Sequence, residues 1–226
     1  DYAQRSPLDY LVQEYVAQPL EAGIFYYRYP GQAKGRVSGI VRKEMLAVKG
    51  DGRNTILQLL QGDKRSVLQL PVLEKTYGDA LNEVLPAGTG KELVPYGNHA
   101  RGARFLDDSH LADDCFTDSI DALCRQVEGF YYGRLDIRYN SWEELRQGKN
   151  FSIIELNGAG SEPTHIYDAR HSLWFVWKEI IRHWVILWRI SRLNHRKGVP
   201  YLTVREGLAM LKENKAFEQK ISGLYV

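Results

Sequence analysis

The stretch Gly133-Arg134-Leu135-Asp136, followed later in the chain by Glu155-Leu156-Asn157, decides the fold prediction for this sequence. Both stretches lie in longer runs of β-branched and aromatic residues, at 130–139 and 151–157, and such runs predict β-strands. A short polar helix is predicted between the two strands, near 142–147. A connection this short makes the strands candidates for direct neighbours in a sheet.

Polar side chains recur at every second position of these two predicted strands. Side chains two residues apart on a strand point to the same face, so Arg134 joins Asp136 and Glu155 joins Asn157. If the strands are antiparallel neighbours, all four groups converge. Asp, Glu and Asn offer the hard oxygen ligands that suit Mg²⁺, and the planar fork of Arg suits a phosphate or a carboxylate. The alternative is a surface salt-bridge cluster around Arg134.

The rest of the chain alternates between strand and helix patterns. Further strands are predicted at 10–16, 22–29, 36–48 and 91–95. Further helices are predicted at 72–84, 113–128, 170–196 and 203–218, with another that begins near Asn54 or Thr55 as its N-cap. These elements predict an α+β fold: an antiparallel sheet that carries the site, with helices packed on one side and a helical carboxy-terminal extension.

Composition excludes several classes of protein. The 226 residues carry a net charge of only +2, so no broad basic field predicts a nucleic-acid partner. The most apolar stretch, 173–190, contains five charged or titratable residues and fails as a membrane span, so no membrane is expected. Residues 1–10 are polar, without the apolar core of a signal peptide. Cys115 and Cys124 lack metal-ligand spacing, which favours a reducing, cytoplasmic setting.

Four tryptophans recur along the predicted long helix. Trp174, Trp177, Trp184 and Trp188 follow one another at spacings of three, seven and four residues. These spacings place them on one helix face. We expect that face to pack in the core or against a missing domain.

The two stretches quoted first resemble the metal-binding signature of ATP-grasp enzymes. The pattern is most similar to that of D-alanine–D-alanine ligases, which have glycine-arginine-aliphatic-aspartate and later glutamate-x-asparagine. The resemblance implies that Asp136, Glu155 and Asn157 bind magnesium, with two ions expected and Mn²⁺ as an alternative. It also implies that Arg134 stabilises charge on the transferred phosphoryl group or on a tetrahedral intermediate.

The segment from Gln13 to Glu21 is similar to the hinge strand of the same family. The resemblance implies that Glu14 and the backbone near Tyr15 and Val16 contact adenine, and that Glu21 binds the ribose hydroxyls of ATP. The alternative for Glu21 is an ordinary solvated residue at the edge of a sheet.

Two glycine-bearing segments, 50–52 (GDG) and 97–102 (GNHARG), resemble cyanophycin synthetases and related ligases. The resemblance implies that Asn98, His99 and Arg101 contact the substrate. The same residues are also suited to building a turn, because asparagine and glycine favour one.

The family's phosphate-binding lysine and mobile glycine-rich loop do not occur in the sequence, and the resemblance covers residues 10–165. Lys43, in a strand pattern, is a candidate for a catalytic phosphate contact, and Arg28 is another candidate for contact with the nucleotide. For both, plain surface charge is the alternative. The loop after Asn157 (GAGSEPTH) differs from that of the D-alanine ligases, so their specificity is not carried over.

The sequence therefore predicts two regions: 1–168, the carboxy-terminal part of an ATP-grasp domain, and 169–226, a helical extension packed on it. The expected function is an ATP- and Mg²⁺-dependent ligase that joins a small carboxylate to an amine through an acyl phosphate. A missing amino-terminal region or a homo-oligomer partner is expected to supply the absent loop. Two alternatives stay open: a non-catalytic nucleotide-binding remnant, and an ATP-grasp kinase.

Overall fold

The computed structural model describes residues 9–222 and is an α+β structure, as the sequence predicts. The strands are β1 (Leu20–Tyr27), β2 (Arg36–Glu44), β3 (Leu46–Lys49), β4 (Gly90–Val94), β5 (Arg104–Asp107), β6 (Tyr132–Tyr139) and β7 (Phe151–Asn157). The α-helices are α1 (Ile56–Gly62), α2 (Leu70–Tyr77), α3 (Asp114–Cys124), α4 (Trp142–Arg146), α5 (Leu173–Arg196) and α6 (Val204–Ser222).

Five strands form the main sheet in the order β5-β2-β1-β6-β7, and every neighbouring pair is antiparallel. The first strand of the chain therefore lies at the centre of the sheet. The predicted pairing of the two motif strands is confirmed, because β6 and β7 are neighbours. β7 forms one edge, and a register shift after Asp136 gives it one extra residue, Ile154.

One face of the sheet is a continuous apolar core. The even-numbered residues of β1 and the odd-numbered residues of β6 point to this face, where α3 and α4 cover them. Asp113 begins α3 as its N-cap and accepts a hydrogen bond from the Phe116 backbone N–H at 2.9 Å. The buried members of this core are Ala22, Ile24, Tyr26, Ile40, Phe116, Ile120, Cys124, Phe130, Leu135, Ile137, Tyr139 and Leu145.

The opposite face of the sheet is apolar at one end only. There Phe25 and Tyr27 of β1 and Tyr132 of β6 pack against Ile186 and Ile190 of α5. The rings of Phe25 and Tyr132 meet edge to face at 5.0 Å. The other end of this face carries charged side chains, and α5 leaves that end uncovered for the site described below.

A smaller sheet of β3 and β4 has its own core under α1 and α2. Thr55 begins α1 with a capping box: its hydroxyl accepts from the Gln58 N–H at 3.2 Å, and the Gln58 side chain accepts from the Thr55 N–H at 2.9 Å. This confirms the predicted helix start.

Two strand predictions need correction. Residues 10–16 form no strand, and six of the seven are exposed; β1 is already paired on both sides, with β2 and β6. The strand predicted over 36–48 is two strands interrupted at Met45. Its halves belong to different sheets because they bury side chains in different cores, Ile40 in the first and Leu46 in the second.

The tryptophan face of α5 is not in the core, which corrects part of the sequence-based expectation. Trp174, Trp177, Trp184 and Trp188 are between 55% and 80% exposed. The opposite face of the helix supplies its buried residues, which are Glu179, His183, Ile186 and Ile190. Packing of the tryptophans against a further domain stays a prediction.

The described chain divides into two compact units, residues 16–190 and residues 9–15 with 191–222. The first unit contains both sheets. In the second, the turn after α5 is held by His195, which stacks on Tyr201 at 3.8 Å, and α6 has no buried residue. None of the helices described between residues 9 and 222 is long and apolar enough to cross a membrane.

Replacement of Gly133 with alanine tests how closely β6 approaches its neighbours. A Cβ at this position would collide with the backbone oxygen of Asn157 and lie 2.7 Å from the Phe130 ring, whereas a Cβ on the strand residue Gly90 meets nothing within 4 Å. We expect Gly133→Ala to lower the free energy of unfolding by about 1–3 kcal/mol in urea titrations. Gly90→Ala is the matched control, and equal effects of the two substitutions would contradict the close approach.

Candidate functional site

The charged end of the sheet face is built from β2, β1 and β6. The register places Glu21 between Lys43 and Arg138, and it places Gly23 opposite Asp136. These side chains share a face because they lie at odd positions of β1 and at the matching positions of its two neighbours. The site therefore lies on three hydrogen-bonded strands rather than on a loop.

Lys43 is the centre of a buried ion network. Its Nζ lies 2.9 Å from Glu21 Oε1 and 3.4 Å from Asp136 Oδ2, and the three side chains are between 6% and 10% exposed. The second oxygen of Glu21 lies 3.4 Å from Arg138 Nε and accepts from the Gly97 N–H at 3.3 Å. Every charge in the network thus has an opposite partner, as burial demands.

Arg134 holds Asp136 from the other side. Its Nε donates to Asp136 Oδ1 at 2.8 Å and its Nη2 donates to Asp136 Oδ2 at 3.0 Å, which is the two-pronged contact typical of arginine and carboxylate. Its Nη1 donates to the backbone oxygen of Glu162 at 3.3 Å. Arg134 thereby joins the site to the loop that follows β7.

Two glycines leave room for these charged side chains. A Cβ on Gly23 would lie 2.9 Å from Val41 and 3.0 Å from Asp136 Oδ1. A Cβ on Gly97 would lie 2.5 Å from Lys43 Cδ and 2.6 Å from Glu21 Oε1. Glycine at both positions lets the backbone pass directly over the ion network.

The register of β6 and β7 brings the four motif side chains to one place. Asp136 lies opposite Glu155 and Arg134 lies opposite Asn157, as the strand spacing predicts. The Glu155 side chain is exposed and makes no hydrogen bond or ion pair with the described residues. The Nδ2 atom of Asn157 is buried without a hydrogen-bond partner in the described chain. The set thus contains one carboxylate held by cations, one open carboxylate and one orphaned amide.

A cavity of about 310 Å³ is lined by Glu21, Lys43, Arg134, Asp136, Glu155 and residues 96–99. Asn98 and His99 are among its lining residues, and Arg101 is not. Asn98 also has the structural role foreseen for it, since its side chain accepts from the Ala100 N–H at 2.8 Å and caps a 3₁₀ turn. His99 lies 3.0 Å from Arg65, and burial together with the Arg65 charge lowers the pKa of His99.

The remaining predicted residues are not among those that line this cavity. Arg28 follows the opposite end of β1, where its guanidinium lies over the Tyr131 ring at 4.9 Å and its Nε is buried without a partner in the described chain. Glu14 and Tyr15 are exposed and belong to the other compact unit. Val16 supplies only a backbone oxygen, 3.5 Å from Arg138 Nη1. Their proposed contacts with the nucleotide stay predictions.

Sequence reasoning missed Arg138. It pairs with Glu21, and its Nη2 donates to the backbone oxygen of Pro95 at 2.6 Å, which ties the 95–99 loop to β6. The signal was present in the sequence, because Arg138 continues the two-residue spacing of Arg134 and Asp136 along the same face.

A second polar cluster is buried between β2 and α5. His183 is fully buried, lies 3.0 Å from the Ser38 hydroxyl through Nε2 and contacts the Glu179 backbone oxygen at 2.8 Å through Nδ1. His165 lies 3.6 Å from the Glu179 carboxylate and directly across Gly39, where a Cβ would collide with its ring. Burial lowers the pKa of His183, and the carbonyl and carboxylate of Glu179 offset part of that effect.

Comparison with known proteins finds a likeness among solved structures. No protein-family model and no curated protein matches the sequence. Among solved structures, the chain is similar to the crystal structure of a bifunctional glutathione synthetase from Pasteurella multocida, at 13% sequence identity and a TM-score of 0.44, over 69% of this chain and 23% of that one. The chain thus spans less than a quarter of that protein, and a likeness of this size carries no functional argument.

No group of three or more His, Cys, Asp or Glu side chains within residues 9–222 is arranged to hold a metal ion. The candidate set of Asp136, Glu155 and Asn157 contains two carboxylates and one amide, so it offers only two of these ligand types. Any ion at this position would therefore draw further ligands from phosphate or water, as magnesium commonly does.

Substitution of Lys43 by methionine tests the buried network. The change leaves Glu21 and Asp136 with less compensation in a buried setting, so we expect the free energy of unfolding to fall by about 3 kcal/mol or more. Lys91→Met is the matched control, because Lys91 pairs with Glu83 at 2.6 Å on the surface and such pairs contribute about 0–1 kcal/mol. Urea titrations at pH 7.5 compare the two variants, and similar losses would contradict the assignment.

Acid sensitivity is expected from His183. Because burial lowers its pKa in the folded chain, the unfolded chain binds this proton at higher pH. The contribution of neutral His183 to the free energy of unfolding is fully present above the pKa of about 6.5 that histidine has in the unfolded chain. It falls as the pH drops from there towards the lower pKa of the folded chain, by up to about 1.4 kcal/mol for each pH unit. We expect His183→Gln to reduce the stability difference between pH 7.5 and pH 5.5 in urea titrations. His110→Gln, at an exposed histidine, should keep the wild-type difference.

Proposed function

We propose that this chain carries the nucleotide and magnesium site of an ATP-grasp ligase, which joins a carboxylate to an amine through an acyl phosphate. In its metal site the proposed enzyme resembles the D-alanine–D-alanine ligases. Whether residues 1–226 are active without a further segment is part of the proposal to be tested.

One observation carries the proposal: the register of β6 and β7. It sets Asp136 opposite Glu155 and Arg134 opposite Asn157. Arg134, Asp136 and Glu155 line one cavity together with Lys43, and Asn157 is the strand partner of Arg134. Charged residues at this density on one sheet face are costly to bury, and their concentration around a cavity favours a functional role over a purely structural one.

The residues present fit magnesium in their chemistry. Asp136, Glu155 and Asn157 offer hard oxygen atoms, and the Asn157 amide is the orphaned group of the site. Exchange of the amide oxygen and nitrogen by a 180° rotation would put an oxygen at the orphaned position. These three residues would hold the ion. Glu155 could do so without giving up an existing contact, whereas the Asp136 carboxylate is paired with Arg134 and Lys43. A bound Mg²⁺ would neutralise charge on the β- and γ-phosphates of ATP.

The cationic residues of the chain have distinct proposed roles. Lys43 lies between two carboxylates at the floor of the cavity, from where its ammonium group reaches a phosphate that enters the cavity. Arg134 holds the substrate carboxylate and then the oxyanion that forms when the amine attacks the acyl phosphate. A fixed donor of this kind typically contributes about 3–4 kcal/mol to such a step. Asp136 keeps the Arg134 guanidinium in place through two hydrogen bonds.

The nucleotide end of the proposed site is Glu21. Its carboxylate lines the cavity and accepts hydrogen bonds from Lys43 and the Gly97 N–H, so a ribose hydroxyl would compete with Lys43 for the same oxygen. Adenine contacts by Glu14, Tyr15 and Val16, and a phosphate contact by Arg28, belong to the proposal through the family resemblance alone. Asn98 and His99 line the cavity and are proposed to contact substrate, and Arg101 is a further candidate from the resemblance.

Binding of a non-hydrolysable ATP analogue, measured by calorimetry with and without Mg²⁺, tests the proposal. We expect Mg²⁺ to strengthen binding of the analogue to the wild-type chain. In Glu155→Gln this Mg²⁺-dependent increase in affinity should be at least tenfold smaller, because the substitution deletes a charged ligand. The Glu155 side chain makes no hydrogen bond or ion pair in the described chain, so the variant should fold normally. Glu143→Gln, an exposed glutamate in α4, is the matched control.

Binding that is absent, or that is equally strong with and without Mg²⁺, would contradict the proposed site on this chain. Unchanged behaviour of Glu155→Gln would contradict the ligand assignment. If Mg²⁺-dependent binding is found, analysis of products from mixtures of acids and amines separates a ligase from an ATP-grasp kinase, which would release a phosphorylated acid. A remnant without activity would bind the nucleotide and form neither product.

A further inference from the structure

A second cavity, of about 480 Å³, lies between the loop after β7 and one side of α5. The loop residues 159–163 form one wall. The other walls are apolar side chains of β6, of the 3₁₀ turn that follows the loop (Thr164–Tyr167), and of α5. These side chains are Tyr132, Ile166, Val176, Ile180, Trp184 and Leu187. Its volume and its apolar lining are typical of a small-molecule site. We refer to it as the apolar pocket.

The apolar pocket adjoins the charged site along β6. Tyr132 in its wall and Arg134 in the charged site are two residues apart on the same strand face, a separation of about 7 Å. The Arg134 guanidinium donates to the backbone oxygen of Glu162, which is itself a lining residue of the pocket. A single ligand can therefore contact both the guanidinium and the pocket.

Arg134 has hydrogen-bonding capacity left for such a ligand. A guanidinium carries five N–H groups, and Asp136 and Glu162 accept three of them. The side chain is 16% exposed and lines the cavity of the charged site. A carboxylate is the natural partner for the remaining donors.

In the described chain, the lining residues of the apolar pocket include no cationic side chain. Its titratable lining residues are Tyr132, Tyr167 and Glu162. Burial raises the pKa of Tyr132 to about 12, and a hydrogen bond to the Glu162 carboxylate raises the pKa of Tyr167 to about 12, so both phenols are neutral at pH 7. The Glu162 carboxylate is occupied by that phenol, and a negative charge would be repelled from its side of the pocket.

We propose that the apolar pocket binds the bulky apolar group of the carboxylic acid that the enzyme activates, with the acid's carboxylate at Arg134. The inference rests on the proposed function, because it assigns the class of one substrate of that ligase: an acid with an aryl or branched alkyl group rather than a small one such as acetate. The specificity would then be determined by α5 together with the loop after Asn157, the loop whose sequence differs from that of the D-alanine ligases.

Calorimetry on the full chain with 3-phenylpropanoate and with acetate tests the inference. We expect 3-phenylpropanoate to bind at least tenfold more tightly than acetate, and the neutral 3-phenylpropanamide to bind more weakly than the acid because it lacks the charge that Arg134 recognises. Ile180→Phe narrows the pocket and should weaken binding of 3-phenylpropanoate at least tenfold. Ile181→Phe is the matched control, because Ile181 is the next residue of α5, 59% exposed and not a lining residue.

Circular dichroism establishes whether both variants fold. If Ile180→Phe does not fold, Val176→Phe replaces it, because this substitution narrows the pocket from another turn of α5. Equal affinities of the wild-type chain for the two acids, or equal effects of the pocket variant and Ile181→Phe, overturn the inference. The ATP-analogue titration on the same samples separates the two proposals. Mg²⁺-dependent nucleotide binding without selective acid binding contradicts the apolar pocket alone, and failure of nucleotide binding contradicts the proposed function.

Discussion

Three adjacent strands depend on one buried ion network, in which Lys43 of β2 lies between Glu21 of β1 and Asp136 of β6. Buried charges are tolerated only when they are paired, so this network is satisfied in a single register of the three strands. A slip of one residue would turn the charged side chains into the apolar core and turn Ile24 and Leu135 out of it. The same constraint that positions the charges therefore also specifies the sheet.

The two faces of the main sheet carry different kinds of side chain. One face is covered by α3 and α4 and holds the continuous core. The other is half aromatic, where α5 packs, and half charged, where the cavity opens. Because the charged side chains project from hydrogen-bonded strands, their positions are held by backbone pairing, which is the rigid support that a binding or catalytic site requires. Arg134 lies at the border of the two halves, and this border position makes a ligand that spans both of them chemically reasonable.

Much of the site follows from local pattern, and the parts that do not follow have identifiable reasons. The alternation of Arg134 and Asp136, and of Glu155 and Asn157, was enough to place each pair on one strand face. Arg138 obeys the same alternation but was missed, because its importance comes from Glu21, which lies 117 residues earlier in the chain. The segment 10–16 has a strand-like composition and forms no strand, since the next strand along the chain, β1, is already paired on both sides.

The sequence by itself determined the α+β class, the approximate positions of most strands and helices, and the grouping of the motif residues on β6 and β7. These depend on local periodicity and capping, as at Thr55, and so they can be read from neighbouring residues. Only the tertiary structure decided that β1 is central, that Lys43 lies between two carboxylates, and that the tryptophans of α5 point away from the core. Those outcomes depend on which distant segments compete for each sheet edge and each apolar surface. That competition is settled by the packing of the whole chain and leaves no mark in any short stretch of sequence.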